Sequence, residues 1–224
     1  MTWGSFNTVH LLSLAFVVIV NVALYFILKR TSRSKQIISL FALSLIAVGL
    51  LLHGILVNQN DILRNLPLSF AAINIILLPF AIILRRKGIC NKLLIWSAGS
   101  IIALVLNSSM ADVRIFSFGF LSYFTMHLLG AGIPILLFSL KLVKRETSTV
   151  KSTIVTTILI YTIVHIVNLV INSTNGWSLQ EGVNYMSTLQ PNSEFLNFLY
   201  AILPFPYWYM ILVLPIVVLY ILYW

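Results

Sequence analysis

Long apolar runs separated by short polar segments dominate this chain. A helix needs roughly 20 apolar residues to cross about 30 Å of hydrocarbon, and the runs predict seven transmembrane helices. Their expected ranges are 9–28, 36–57, 66–84, 93–107, 115–140, 152–171 and 199–223. Because the connections between them are short, residues 1–224 are predicted to form a single all-α domain, a polytopic seven-helix bundle.

Composition supports a membrane protein. Hydrophobic residues make up 60% of the chain and charged residues only 8%, whereas soluble domains carry about 25% charged residues. A net charge of +9 would suggest a nucleic-acid partner in a soluble protein, but basic residues also collect in the cytoplasmic loops of membrane proteins. We therefore expect a multi-pass protein of the cell membrane, with no nucleic-acid partner.

The charges predict an orientation. The loops after the first, third and fifth apolar runs hold 12 of the 14 basic residues, namely Lys29, Arg30, Arg33, Lys35, Arg85, Arg86, Lys87, Lys92, Lys141, Lys144, Arg145 and Lys151. The alternate loops hold only Arg64 and Arg114. Under the positive-inside rule, this pattern places the N-terminus outside and the C-terminus in the cytoplasm.

Two further segments bear on the fold. Pro67 is expected to open the third helix, since proline is tolerated in a first helical turn. The polar segment 172–194 is long for a connection, which favours an ordered lid or hairpin over a linker. The only cysteine, Cys90, falls in the basic loop 85–90 and offers neither a disulfide nor a redox pair. A reduced thiol is expected there, with reversible palmitoylation as the alternative.

Polar side chains within the predicted spans are candidate site residues, because they are costly in hydrocarbon. They lie in the expected outer half or near the midplane: His53, Asn74, Asn107, His127, His165 and Asn168. The inner half of the third and fifth spans is almost purely apolar, as in 75–78 and 135–138. This distribution predicts an outward-facing polar pocket with an apolar floor, which suits a membrane lipid or another amphiphile.

A purely structural role is the alternative for each histidine, since buried polar groups often only bond a neighbouring helix. His10 and His53 lie near the interface, where polarity costs little. His165 and Asn168, spaced i and i+3, share a helix face and could satisfy each other. His127 is the deepest of the four histidines, so its polarity most requires a functional reason.

The sequence contains no familiar catalytic signature: no Gly-x-Ser-x-Gly elbow, Walker loop or His-Glu-x-x-His motif occurs. No acidic residue lies within a predicted span, which argues against a carboxylate proton relay. The histidine spacing gives no support for metal ligation. We therefore expect neither a metal nor another cofactor.

Several short motifs, in order along the chain, resemble one family. They are Phe6-Asn7-Thr8-Val9-His10-Leu11, Leu66-Pro67-Leu68, Phe124-Thr125-Met126-His127, Asn184-Tyr185-Met186 and Pro206-Tyr207-Trp208-Tyr209. The chain is similar to the YwaF-like integral membrane family of bacteria. Eukaryotic relatives of that family include a phospholipid acyltransferase that depends on a membrane cysteine. The resemblance implies a bacterial plasma membrane and a lipid context, and it adds Tyr185 to the predicted pocket.

The chain departs from the family pattern at the position of that cysteine. After Leu-Pro-Leu the family commonly has histidine, one residue and then cysteine, whereas this chain has Ser69 and Ala71. Cys90 is expected on the opposite side of the membrane and cannot replace it. Ser69 and His127 are then the candidate nucleophile and base, with Asn74 or Asn168 as a possible orienting group.

Two functions from different classes remain open. The first is a protein that binds or modifies a lipid, by acyl transfer or hydrolysis if it is catalytic. The alternative is a non-catalytic membrane subunit that stabilises or regulates a partner membrane protein, which the missing cysteine favours. A transporter for small solutes is less consistent with the sequence, because the inner half lacks a polar lining.

Overall fold

The computed structural model describes residues 2–3, 6–57, 59–106 and 113–213, which are almost entirely helical. The α-helices are α1 (Thr8–Lys29), α2 (Arg33–Val57), α3 (Phe70–Leu84), α4 (Lys87–Leu106), α5 (Phe118–Ser139), α6 (Thr149–Asn175) and α7 (Glu194–Ile202). Short 3-10 segments cover Gln59–Arg64, Tyr185–Ser187 and Trp208–Val213. Two short strands, β1 (Thr2–Trp3) and β2 (Val113–Arg114), pair in antiparallel fashion.

The helices confirm a multi-pass membrane protein. Five of them, α1, α2, α4, α5 and α6, are long and apolar enough to cross a membrane. The apolar helix α3 has only 15 residues. The seven-span count therefore remains a prediction.

The predicted seventh span differs most from the structure. Its first residues, 199–202, form the end of α7, which stops at Ile202. Pro204 and Pro206 follow, and proline cannot continue a hydrogen-bonded helix. The chain resumes in the 3-10 segment Trp208–Val213, and residues 214–223 of the predicted span lie outside the described residues.

Two predicted boundaries were wrong. The third helix starts at Phe70 and not at Pro67, because Ser69 is its N-cap and the Ser69 Oγ accepts the Ala72 N–H at 3.1 Å. Helix α4 starts at Lys87, so Cys90 lies in its first turns and not in a loop. The Cys90 side chain is fully buried, with its Sγ 3.6 Å from the Ala81 carbonyl oxygen.

The connections gather on two sides of the bundle. On the first, called here the amino-terminal side, β1 pairs with β2 and Arg64 Nη2 donates to the Glu181 carbonyl at 2.6 Å. On the second, the basic side, Lys87 pairs with Glu146 at 2.5 Å and Arg33 donates to the Leu142 carbonyl at 3.4 Å. Helices α1 to α6 thus cross the bundle in alternating directions, and the 12 clustered basic residues share one side.

Helix α5 is the centre of the bundle. It packs against α1, α2, α3 and α4, while α6 packs against α4. Four of these helices contribute fully buried core side chains, among them Leu40, Leu78, Ile82, Leu93, Ile133 and Leu137. Helix α1 is largely exposed along its length, as expected for a helix that faces lipid.

Two side chains cap the end of α4. Its last four carbonyls have no partner within the helix. The His10 Nδ1 accepts the Phe6 N–H at 2.9 Å, so its Nε2 carries the proton and donates to the Leu104 carbonyl at 2.8 Å. The Tyr123 hydroxyl donates to the Ala103 carbonyl at 2.9 Å. These bonds fix α1 and α5 against α4 near the amino-terminal side.

The long segment after α6 is ordered, as predicted. Helix α6 ends at Gly176, whose φ of 65° is the left-handed conformation that glycine adopts easily. The Asn172 side chain then bonds both the N–H and the C=O of Val183, at 2.8 and 3.0 Å. The Asn184 Oδ1 accepts the Leu189 N–H at 3.0 Å, and the Asn184 Nδ2 donates to the Gln190 carbonyl at 2.7 Å.

Candidate functional site

His127 lies on α5 with only one ring nitrogen bonded. Its Nδ1 is 2.8 Å from the Tyr123 carbonyl oxygen, one helical turn earlier. Because a carbonyl oxygen can only accept, Nδ1 carries the proton and Nε2 keeps its lone pair. The ring is half-buried and lies 4.2 Å from the Tyr123 ring, centroid to centroid. In its neutral form, His127 therefore presents one acceptor, the Nε2 lone pair.

One turn further along α5, three helices meet at Gly130. The Asn74 Nδ2 of α3 donates to the Gly130 carbonyl at 3.0 Å. The Ser100 Oγ of α4 lies 2.8 Å from the position that a Cβ of residue 130 would occupy. Glycine is thus required for this close approach, and the spacing of His127 and Gly130 puts both on one face of α5.

Two polar atoms at this junction have no hydrogen-bond partner, although Asn74 and Ser100 are fully buried. They are the Asn74 Oδ1 and the Ser100 Oγ. Leaving a buried polar atom unpaired costs about 1–3 kcal/mol. We refer to Asn74 and Ser100 at Gly130, together with His127 one turn earlier on the same face of α5, as the His127 cluster. It offers two acceptors and one hydroxyl, contributed by the apolar helices α3, α4 and α5.

Ser69 lies at the start of α3, with its side chain exposed. Its Oγ accepts the Ala72 N–H, which makes it the N-cap of that helix. Neither Ser69 nor His127 bonds the other. The structure thus gives Ser69 a capping role, and the predicted nucleophile–base pair stays a prediction.

His53 and Asn107 are also predicted to line the outward-facing pocket. The His53 side chain is exposed, and its ring lies 4.7 Å from that of Phe118 at the start of α5. Asn107 lies outside the described residues.

Asn168 holds the loop that follows α6. Its Oδ1 accepts the Tyr185 N–H at 3.0 Å, and its Nδ2 donates to the Tyr185 carbonyl at 2.9 Å and to the Thr188 Oγ1 at 2.8 Å. Both amide hydrogens are therefore used within the fold. Asn168 and His165 do not bond each other, so the pairing that the i, i+3 spacing suggested is not formed.

Tyr185 connects that loop to the approach to α3. Its hydroxyl donates to the Leu63 carbonyl and accepts the Leu66 N–H at 3.3 Å. The guanidinium of Arg64 stacks 4.9 Å from the Trp177 ring. Tyr185 thus fixes the segment that leads to Ser69, and it does so at a different place from the His127 cluster.

Sequence reasoning missed Ser100 and Gly130. Both residues are small, so they scarcely change the mean hydropathy of the apolar segments in which they lie. The sequence did contain a signal, since small residues in membrane helices mark places where backbones approach closely. Gly130, Ala131 and Gly132 form such a group in the middle of α5.

Histidines do not gather into a metal site in the described part of the chain, which includes all four of them. No group of three or more His, Cys, Asp or Glu side chains that could hold a metal ion occurs among those residues. His10 caps α4, His53 lies beside Phe118, and His127 and His165 lie on different helices.

Comparison with known proteins identifies the family. A family model described as the TMEM164 family matches residues 5–224. No curated protein and no solved structure matches the chain. The predicted membrane context is confirmed, while the likeness to YwaF-like bacterial proteins stays a prediction. The match covers nearly the whole sequence, so the chain belongs to the TMEM164 family, a family of membrane proteins.

Proposed function

We propose that this protein binds a membrane lipid, or a similar amphiphile, through the His127 cluster. The observation that carries the proposal is the set of unsatisfied polar atoms at the α3–α4–α5 junction: the free His127 Nε2, the Asn74 Oδ1 and the Ser100 Oγ. Polar side chains at membrane depth commonly mark a substrate site or pathway. The neutral charge of the cluster suits the ester and hydroxyl groups of a lipid.

The apolar packing on the basic side of the cluster supports an amphiphile as the ligand. Leu78 and Ile82 of α3 and Ile133 and Leu137 of α5 are fully buried there. A polar solute that crossed the membrane would need polar groups along the whole path. A lipid needs them only at its head, because its acyl chains can lie against apolar helix faces.

A catalytic version of the proposal assigns acyl transfer or hydrolysis to Ser69 and His127. The Ser69 oxygen would attack an ester carbonyl while His127 Nε2 took its proton. The same nitrogen would then protonate the departing alcohol, and a second alcohol or water would release the acyl group from Ser69. This requires a Ser69–His127 hydrogen bond within about 2.6–3.2 Å, which would form when the ester is bound.

Lipid mass spectrometry on the protein in nanodiscs tests the proposal. We expect a co-purifying lipid species whose occupancy falls about tenfold in His127→Ala, as the loss of one hydrogen bond to a buried group predicts. His53→Ala is the matched control, because that exposed ring bonds nothing in the cluster, and its lipid profile should equal that of the wild type. Equal occupancy in all three proteins would reject the site.

The same measurement separates binding from catalysis. If the protein is an enzyme, wild type in nanodiscs converts lipid to a new acylated or deacylated species, and Ser69→Ala and His127→Ala each abolish that conversion while remaining folded. Turnover that survives both substitutions would reject the Ser69–His127 mechanism. Lipid binding that depends on His127, without any conversion of the lipid, would support the lipid-binding function and reject catalysis.

A non-catalytic membrane subunit is the second candidate. Ala71, which is buried in α3, occupies the position of the cysteine in the resembled family, and alanine cannot carry an acyl group. A protein of this kind would co-purify in mild detergent with a membrane partner in a fixed stoichiometry. Its lipid profile would be the same with and without the His127→Ala substitution.

A further inference from the structure

A second pair of unsatisfied polar groups lies on α6. The Tyr161 side chain is only 8% exposed, and its hydroxyl has no hydrogen-bond partner. The Nδ1 of His165, one turn further along, is also buried and unpaired. The spacing of four residues puts both side chains on one face of the helix. A hydroxyl and a ring nitrogen are thus left unsatisfied one helical turn apart.

The Tyr207 ring lies against both members of this pair. The Tyr207 ring lies 5.1 Å from the Tyr161 ring and 5.2 Å from the His165 ring. The Tyr207 hydroxyl is already engaged, since it shares a hydrogen bond of 2.7 Å with the Thr162 Oγ1. When the neutral ring carries its proton on Nε2, the unpaired Nδ1 is a hydrogen-bond acceptor.

The backbone around the pair is strained. Three residues have a left-handed backbone conformation, which residues other than glycine rarely adopt. They are Met186, Ser187 and Tyr207, with φ values of 55°, 53° and 67°. Further bonds hold them in place: the Tyr207 N–H donates to the Thr188 carbonyl at 2.7 Å, and the Tyr209 hydroxyl donates to the Ser187 carbonyl. Strain of this kind persists where surrounding structure imposes it, often at a ligand site.

We propose that Tyr161 and His165 bind the hydroxyl of a neutral membrane alcohol, a long-chain or lipid alcohol with one free hydroxyl. A single hydroxyl can accept a hydrogen bond from Tyr161 and donate one to the His165 Nδ1, so it satisfies both groups. The residues that surround the pair (Thr162, Thr188 and Tyr207) carry no charge, and a charged headgroup would lose its hydration without compensation.

The surroundings also suit a hydrocarbon tail. On the lipid-facing surface of α6, Ile158, Ile163 and Ile166 are exposed, so an acyl chain could leave the pair directly into the membrane. The proposal does not depend on the His127 cluster, which involves α3, α4 and α5 and shares no hydrogen bond with Tyr161 or His165.

Titration of the purified protein in nanodiscs with oleyl alcohol tests the proposal. We expect the alcohol to raise the melting temperature of the wild type in a saturable way. 1-Octadecene, which has the same chain length and no hydroxyl, should leave the melting temperature unchanged. If both compounds act alike, or neither acts, the unpaired groups bind only water and the proposal is wrong.

Tyr161→Phe is the decisive variant. It keeps the ring and removes a hydroxyl that bonds nothing in the ligand-free protein, so the ligand-free melting temperature should stay the same or rise. The apparent affinity for oleyl alcohol should fall about tenfold, the effect of one lost hydrogen bond. Tyr25→Phe, on the distant helix α1, is the matched control and should bind like the wild type. Wild-type affinity in Tyr161→Phe would overturn the proposal.

His127→Ala separates this site from the proposed lipid site. Since the two clusters share no residues, the response of His127→Ala to oleyl alcohol should equal that of the wild type. A lost response in His127→Ala would mean that the alcohol binds at the His127 cluster, which would overturn the assignment to α6. A retained response supports the α6 site even if the lipid-binding function proposed for the His127 cluster fails its own test.

Discussion

Two histidines, His10 and His127, show that residue type does not by itself determine a role. Both ring nitrogens of His10 are bonded, one to the Phe6 N–H and one to the Leu104 carbonyl. His127 has one bonded nitrogen and one free lone pair. The first side chain therefore stabilises the fold, and the second remains available to a ligand.

His10→Phe should destabilise the protein. Phenylalanine keeps a ring of similar size but leaves the Leu104 carbonyl without its donor, and an unpaired buried acceptor costs about 1–3 kcal/mol. Chemical denaturation in detergent micelles would measure the free energy of unfolding. His53→Phe is the control: it replaces an exposed ring that lies against Phe118 and should change stability by less than about 0.5 kcal/mol. Equal losses in both variants would contradict the capping role of His10.

The sequence predicted which polar side chains lie at membrane depth, but it could not predict their partners. Partners depend on how each helix is rotated, and packing sets that rotation. Asn168 illustrates this: its position suggested a pocket residue, yet its bonds run to Tyr185 and Thr188, in a loop 17 and 20 residues further along the chain. Nothing in the local pattern of α6 indicates that loop.

At the level of elements, hydropathy predicted the middle of each described membrane helix well and its ends less well. Helix α1 agrees with its predicted range to within one residue at each end. Helix α4 starts six residues before the prediction, because its first turns carry Lys87 and Lys92. Hydropathy marks the part of a helix that lies in hydrocarbon, and a helix can continue into the interface with charged residues.

Asn168→Ala should loosen the loop 183–190 without unfolding the bundle. The substitution removes the Asn168 side-chain bonds to the Tyr185 N–H, the Tyr185 carbonyl and the Thr188 Oγ1, and each lost bond costs about 0.5–1.5 kcal/mol. Hydrogen exchange measured by mass spectrometry should show faster exchange in peptides that cover 183–190, and unchanged exchange in α5.

Asn175→Ala provides the control for that experiment. Asn175 is exposed, and its Nδ2 donates to the Ile171 carbonyl of its own helix, so the loop does not depend on it. Exchange in 183–190 should match the wild type. If Asn168→Ala also exchanged like the wild type, the loop would be held by Asn172 and Asn184 alone.

For the whole molecule, charge alternation was the most informative feature of the sequence. It predicted that the connections would gather on two sides. The structure confirms this for α1 to α6, through the β1–β2 pair on one side and the Lys87–Glu146 pair on the other. Charge alone cannot position α7 or the residues after it, because the segment after Leu199 contains no charged residue.

Cysteine labelling in intact cells tests the predicted orientation. Cys90 is fully buried, so the wild type should give little background with a membrane-impermeant maleimide. Gln180→Cys, exposed on the amino-terminal side, should be labelled from outside. Thr147→Cys, exposed on the basic side, should be labelled only after permeabilisation. The reverse pattern would place the N-terminus in the cytoplasm and contradict the positive-inside prediction.

A third position tests the number of spans. If the chain crosses the membrane seven times with the N-terminus outside, Tyr223→Cys shares the side of Thr147→Cys and reacts only after permeabilisation. If the last apolar segment does not cross, Tyr223→Cys reacts from outside together with Gln180→Cys. Gln180→Cys and Thr147→Cys mark the two sides of the membrane in the same protein. The reactivity of Tyr223→Cys relative to these two positions therefore decides the number of spans, even if the absolute orientation is reversed.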